Sequence, residues 1–148
     1  MRISPILSVL SAAFLAQAAI AEEAVKPRDE SLEGKLSLEL NAAQSGEGGC
    51  MLTFVVINGH DADIARAVYE TVLFDKTGQV DRLTLFDFGQ LPAKRPRVRQ
   101  FSVSGTPCDG LGQILVNGAH ACEAAALDEG ACEAGLEVTS RTEIEVLG

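Results

Sequence analysis

Hydrophobic residues that recur at every second position constrain the fold of this chain more than any other feature. In residues 136–146 every leucine, valine and isoleucine has the same parity, and glutamates, a threonine and an arginine occupy the other. Leu36, Leu38 and Leu40 alternate with polar residues in the same way. This period of two is the pattern of a strand with one buried face, and no long segment shows the 3.6-residue period of an amphipathic helix. The sequence therefore predicts an all-β protein.

Seven strand-like segments joined by short turns are predicted. They cover residues 36–40, 50–58, 65–75, 80–88, 97–104, 112–117 and 136–146. Segment 50–58 is apolar on both faces, which favours a central strand. A change of parity between Leu85 and Phe86 predicts a β-bulge, and residues 119–135, rich in alanine and glutamate, predict a loop with one helical turn. Strand number and spacing favour an antiparallel, immunoglobulin-like β-sandwich, with a small β-barrel as the alternative.

The N-terminus has the three parts of a secretory signal peptide. Arg2 precedes a short apolar run, residues 6–20, and small residues lead to Ala21, where cleavage is predicted. The run is too short and too rich in alanine for a membrane span. We therefore expect a periplasmic or secreted protein, with no membrane insertion after cleavage. The predicted segments are a signal peptide (1–21), a charged, flexible lead-in (22–34) and a β-sandwich domain (35–148).

Four cysteines lie in the predicted sandwich: Cys50, Cys108, Cys122 and Cys132. An even number of cysteines in an exported chain is typical of disulfides. If consecutive strands are antiparallel, the second and sixth strands run in the same direction, and their starts bring Cys50 near Cys108. Cys122 follows the other end of the sixth strand and can meet Cys132 within one loop. The predicted disulfides are therefore Cys50–Cys108 and Cys122–Cys132.

The same strand order places both histidines, His60 and His120, at one end of the sandwich. Imidazoles together with thiolates or carboxylates bind zinc or copper. No close ligand spacing is present, so solvated loop histidines are the main interpretation, and a metal site at His60 and His120 is the alternative. No cofactor is predicted.

Four basic residues occur close together: Lys94, Arg95, Arg97 and Arg99. The three arginines would share one face of a strand and could dock an acidic protein partner or a carboxylate ligand. The alternative, which the pattern favours, is an edge strand protected from aggregation by charge and by proline.

Catalysis and nucleic-acid binding are not indicated. The hydroxyls of Ser102, Ser104 and Thr106 lie in a strand context that contains no histidine, and the G-x-S-x-G motif is absent. The net charge of −9 disfavours nucleic acid and anionic lipid as partners. Aromatic residues make up 5% of the chain with no tryptophan, which disfavours a stacking platform for bases. Five phenylalanines are interpreted as core: Phe54, Phe74, Phe86, Phe88 and Phe101.

Residues 72–78 (VLFDKTG), with Leu91, Pro92 and Phe101 after them, resemble the FxLYD group of bacterial immunoglobulin-like domains. In that group an apolar strand ends in Phe/Tyr-Asp, a glycine turn follows, and Leu-Pro precedes a strand that carries Phe. The resemblance covers residues 65–103. It implies a β-sandwich without catalytic residues, used for structure or for adhesion-type contacts.

The whole chain is also similar to small exported alphaproteobacterial proteins described as twin-arginine-pathway signal proteins. The shared stretches include residues 73–88 and 116–122. Neither resemblance implies an enzymatic activity.

We therefore expect a non-enzymatic exported module that binds a protein partner or supports an envelope complex. The alternative is a periplasmic metal-binding protein that uses His60 and His120. A hydrolase is a third hypothesis, for which the sequence offers no nucleophile–base pair.

Overall fold

Eight strands build the part of the chain that the structure, a computed structural model, describes, which is residues 32–148. They are β1 (Leu36–Gly46), β2 (Gly49–Asn58), β3 (Ile64–Asp75), β4 (Val80–Leu91), β5 (Arg97–Ser104), β6 (Leu111–Glu123), β7 (Glu137–Ser140) and β8 (Glu145–Leu147). A 3-10 turn at Cys108–Gly110 precedes β6. In residues 32–148 no helix is long and apolar enough to cross a membrane. The predicted signal peptide lies outside the described residues.

Two four-stranded sheets face each other. Sheet I has the order β5-β2-β1-β7, and sheet II has the order β4-β3-β6-β8. Their inner side chains form one core, since β1 and β2 of sheet I and β3, β4 and β6 of sheet II contribute to the same buried cluster. The predicted all-β sandwich is confirmed, and segment 50–58 is the central strand β2, as predicted.

The prediction of a single C-terminal strand over 136–146 is wrong. The segment forms β7, which pairs in parallel with β1 of sheet I, and β8, which pairs in parallel with β6 of sheet II. The hydroxyl of Ser140 accepts a hydrogen bond from the amide of Thr142, and the hydroxyl of Thr142 accepts one from the amide of Ile144. These local bonds bend the chain from one sheet to the other. The sandwich therefore has eight strands and two parallel pairs.

The predicted bulge between Leu85 and Phe86 is also wrong. Strand β4 runs in regular register with β3 at this point, with Phe86 opposite Tyr69 and Leu85 opposite Glu70. Phe86 faces the core, and Leu83 and Leu85 face outward, with exposed fractions of 62% and 47%. The register shifts lie instead near the ends of the β3–β4 pairing, around Ala67 and Leu73.

Two boundary predictions need revision. The predicted lead-in includes residues 32–34, but Leu32 is buried and the amide of Gly34 donates to the carbonyl of Gly59. Gly59 has no room for a side chain, because an added Cβ would lie 1.8 Å from the carbonyl oxygen of Leu32. The predicted loop 119–135 begins later, because β6 continues to Glu123, and the hydrogen-bonded turns that follow include one i→i+4 turn from Gly130 to Ala134.

An aromatic cluster fills one side of the core. Phe54 of β2 makes edge-to-face contacts with Phe86, Phe88 and Phe101, and the rings of Phe86 and Phe101 stack at 4.2 Å. Such pairs each add about 0.5–1.5 kcal/mol beyond the burial of their area. Phe74, which was also predicted to be core, is half-buried and lies outside this cluster.

Candidate functional site

Both disulfides have the predicted pairing. Cys50 bonds Cys108, and Cys122 bonds Cys132. The first bond joins the start of β2 to the 3-10 turn before β6, as the argument from strand direction requires. All four cysteines of the chain are thereby oxidised, so no thiolate remains as a nucleophile or a metal ligand.

The loop closed by Cys122–Cys132 is fastened to the sandwich by two side chains. The phenol of Tyr69 on β3 donates to the carbonyl oxygen of Cys132 at 2.6 Å. The imidazole Nε2 of His60 donates to the carbonyl oxygen of Ala131 at 2.9 Å. Burial raises the pKa of the Tyr69 phenol well above its usual value, and the charge of Glu133 raises it further. Both side chains therefore have structural roles.

The two histidines do not form a metal site with other ligands. Strand order places them near the same end, as predicted, but His60 is engaged with Ala131 and His120 is exposed at an irregularity in β6. Nowhere in residues 32–148 do three or more histidine, cysteine, aspartate or glutamate side chains come together as a metal ion would require. A cleft of about 210 Å³ lies under the disulfide loop, between Leu127 and Glu133.

Three of the four predicted partner-binding cations, Lys94, Arg97 and Arg99, make hydrogen bonds within the chain, Arg97 only to the carbonyl of the neighbouring Pro96. The Lys94 ammonium lies 2.8 Å from the Glu33 carboxylate and 3.3 Å from that of Asp61, and it donates to the carbonyl of Gly59. The hydrogen bond to Glu33 is the main cause of a raised pKa for Lys94. The ammonium therefore ties the β4–β5 connection to the β2–β3 loop and to the start of the described chain. Arg95, beside it, is exposed.

Arg99 closes one corner of the sandwich. Its Nε donates to the carbonyl of Phe88 at 2.6 Å and its Nη2 to the carbonyl of Gln90 at 3.0 Å, both on β4 of the opposite sheet. Arg82 makes a similar contact toward the other end of the same two strands, since its guanidinium donates to the carbonyl of Ser104 and to the hydroxyl of Thr106 after β5. We call these two arginines, which join β4 to β5 along one side of the sandwich, the arginine corner.

Arg97 and Arg99 also bear on the edge-protection interpretation. They lie opposite Val56 and Phe54 of β2, which are buried, so their parity is that of the core. Inward-pointing charges on an edge strand are one way in which proteins prevent pairing with another chain. The contacts of Arg99 accord with that interpretation, and a role for Arg95 and Arg97 in binding stays a prediction.

In residues 32–148 neither histidine hydrogen-bonds a serine, threonine or cysteine. Thr106, one of the hydroxyls considered from the sequence, accepts a hydrogen bond from Arg82. The cleft under the disulfide loop is smaller than the pockets of about 300–1,000 Å³ typical of small-molecule sites. A second, more open cleft of about 330 Å³, lined by Glu70, Asn117 and His120 among others, lies at the lower limit of that range.

The outer face of sheet II carries the feature that most resembles a binding surface. Leu83 of β4 lies opposite Val72 of β3, Val72 lies opposite Leu115 of β6, and Leu115 lies opposite Leu147 of β8. These four residues, which we call the apolar row, cross the whole sheet. Three inter-strand spacings give the row a length of about 14 Å. Its ends are open, because Leu83 is 62% exposed and Leu147 is 40% exposed.

Further apolar side chains extend the row along β4. Five large hydrophobic residues are exposed in the described part of the chain, and all lie on edge strands: Val80, Leu83, Leu85, Val98 and Leu147. Three of them belong to β4, and Phe74, opposite Val80, is half-buried beside them. Adjacent exposed apolar side chains on one sheet face mark interaction surfaces more often than isolated ones do.

Acidic side chains flank the apolar row on both sides. Glu70 lies opposite Leu85 and accepts a hydrogen bond of 2.6 Å from the Asn117 amide. On the other side Glu145 accepts one of 2.7 Å from the Gln113 amide. Within residues 32–148 these two carboxylates have neutral amide partners and form no ion pair.

The other charges on this face are paired. Arg66 lies 2.7 Å from Asp87 and 4.0 Å from Glu123. The hydrogen bond from Arg66 is the main cause of a lowered pKa for the Asp87 carboxyl. Asp81 accepts from Arg82, which belongs to the arginine corner. Acidic groups therefore exceed basic groups around the row.

The sequence contains a signal for this surface. Leu83 and Leu85 have the parity opposite to Phe86 and Phe88, which is the change that predicts a bulge. In the structure β4 instead carries apolar side chains on both faces. Choosing between these two arrangements requires the register of β4 against β3.

Comparison with protein-family models, with curated proteins and with solved structures finds no match to the chain. The resemblance to the FxLYD group therefore stays a prediction.

Proposed function

We propose that this chain is an exported, non-enzymatic β-sandwich module that binds a protein partner through the outer face of sheet II. The apolar row is the observation that carries the proposal. Leu83 and Leu147 lie at the two ends of the row on edge strands and expose apolar surface that costs free energy in water, about 25 cal/mol for each Å². A partner that covers the row recovers this free energy.

Export to the periplasm or the extracellular space is part of the proposal. Two disulfides suit an oxidising compartment, and the N-terminal residues have the pattern of a signal peptide. Intact mass spectrometry of protein from the periplasmic fraction tests this. We expect a chain that begins at Glu22 and is lighter by four hydrogens than the thiol form. Recovery of the uncleaved chain from the cytoplasm, with thiols, would contradict it.

Site-specific photocrosslinking in the producing bacterium tests the docking face. A photoreactive amino acid replaces Leu83 or Leu147 in the row, or Val98 on β5 as the control. Val98 is equally apolar and 58% exposed, but it lies on sheet I. We expect the same protein adduct from positions 83 and 147 and none from position 98.

A second control separates the two candidate surfaces of the chain. The adduct should persist when Arg95 and Arg97 are both changed to glutamate, since these residues lie away from sheet II. Loss of the adduct in that variant would assign binding to the basic segment. Adducts of equal yield from all three positions, or from none, would overturn the proposal for this face.

A further inference from the structure

The charges around the apolar row restrict the chemistry of the partner. Glu70 and Glu145 stand on opposite sides of the row without an ion pair in residues 32–148. Asp81, Asp87 and Glu123 add negative charge, of which Arg66 and Arg82 compensate a part. An apolar surface with an acidic border favours a partner that is apolar in the middle and basic at its flanks.

We infer that the outer face of sheet II receives a segment of a partner protein in which apolar side chains are flanked by lysine or arginine. This inference rests on the proposed function. The length of the row, about 14 Å, accommodates two or three apolar side chains of such a segment, since alternate residues of a strand lie about 7 Å apart. Lysine or arginine side chains near the ends of the segment then turn toward the two sides of the row, to Glu70 on β3 and to Glu145 on β8.

Two other occupants fit the charges less well. A second copy of the chain would bring the same acidic border against itself, because an isologous contact places the same surface patch of both copies face to face. The chain carries a net charge of −9, which adds repulsion over a longer range. An anionic membrane surface is disfavoured for the same reason.

Three synthetic peptides test the inference by NMR titration of protein expressed from the full sequence. The first is Lys-Lys-Leu-Ala-Leu-Ala-Leu-Lys-Lys. The second has glutamate in place of each lysine, and the third has serine in place of each leucine. We expect amide shifts around Val72 and Leu115 with the first peptide and much weaker shifts with the other two.

Paired variants assign the binding to the two features of the surface. Changing Leu83 and Leu147 to glutamine should weaken binding by about tenfold or more, because the row loses its exposed apolar ends. Changing Glu70 and Glu145 to glutamine should weaken it by about fivefold. The matched controls are Val98→Gln for the row and Glu47→Gln with Asp109→Asn for the charges, and both should leave binding unchanged.

The outcomes separate this inference from the function on which it rests. If the glutamate peptide binds as tightly as the lysine peptide or more tightly, the inference of a basic partner is overturned. The crosslinking result, which tests the docking face, is unaffected. Failure of the lysine–leucine peptide to bind, or binding that survives Leu83→Gln with Leu147→Gln, would overturn the inference. So would sedimentation at pH 7 as a dimer that Leu83→Gln dissociates, or binding to phosphatidylcholine vesicles through the row.

Discussion

Single residues in this sandwich carry roles that their type and position in the sequence do not reveal. Tyr69 is fully buried, and its hydroxyl donates to the carbonyl of Cys132 in the disulfide loop. The sequence predicts His60 as a possible metal ligand and Lys94 as a possible docking cation. In the structure each side chain donates a hydrogen bond to a carbonyl group of a loop. For single residues, the sequence indicates which side chains have the chemistry to bind a metal or a partner. Tertiary contacts determine which role each side chain has in the fold.

Replacing Tyr69 by phenylalanine should lower the free energy of unfolding by about 1–3 kcal/mol, because the buried Cys132 carbonyl loses its donor. The ring contact with Phe88 is retained in this variant, so the loss reports the hydroxyl. Urea unfolding at neutral pH measures it. Unchanged stability would mean that the hydroxyl does not hold the loop.

The ionisation of Tyr69 should also make stability depend on alkaline pH. Its pKa is raised in the folded state from an ordinary value of 10.0, so the unfolded chain loses the phenolic proton first. The contribution of the neutral phenol is therefore complete below about pH 10 and is lost as pH rises above it. Tyr69 is the only tyrosine, so phenolate absorption of the folded protein should stay near zero where the unfolded chain already absorbs. Phenolate formation in the folded protein at pH 10 would contradict this.

At the scale of strands, contacts between elements determine where a strand ends, which the alternation of hydrophobic residues alone does not show. The hydrophobic pattern identified the first six strands, because each has a face on the core. It missed the passage of the C-terminal segment from β7 to β8, since the parity of Val138 and Val146 is the same on both sides of the bend. The bend depends on side-chain hydrogen bonds at Ser140 and Thr142, which leave no trace in the hydrophobic pattern.

The arginine corner is the contact between elements that a mutation tests most directly. Arg99→Leu removes the donors to the carbonyls of Phe88 and Gln90, and we expect a loss of about 1–3 kcal/mol in the free energy of unfolding. The matched control, Arg95→Leu, alters an exposed arginine nearby and should change stability by less than about 0.5 kcal/mol. Equal effects of the two substitutions would show that Arg99 does not join the sheets.

For the whole molecule, strand direction and strand register differ in how well the sequence predicts them. Direction follows from counting antiparallel strands, and it was enough to pair Cys50 with Cys108 and Cys122 with Cys132. Register across β4, β3, β6 and β8 depends on bulges in β3, β4 and β6 that no local pattern marks. The apolar row exists only in that register, so the docking surface could not be derived from the sequence.

Self-association of the chain, which the apolar row favours and the acidic border opposes, should depend on pH. At neutral pH the net charge of −9 keeps two copies of the chain apart, and near the isoelectric point of about 4.6 this net charge vanishes. We therefore expect reversible self-association through the row as pH falls toward this value. Sedimentation velocity at pH 7 and near the isoelectric point measures it, with circular dichroism to show that the sheets persist.

Substitutions in the row and away from it decide whether this association uses the proposed surface. Leu83→Gln should reduce the association constant by about tenfold or more, because each copy would bury this side chain and a buried leucine contributes about 1.5–3 kcal/mol. Val98→Gln, on the other sheet, should have little effect. If both variants associate like the parent chain, another surface is responsible for the association. Repulsion between the acidic borders would then not be what keeps the apolar rows of two copies apart. If only Leu83→Gln stays monomeric, the charges that repel a second copy at neutral pH are the same charges that would admit a basic partner.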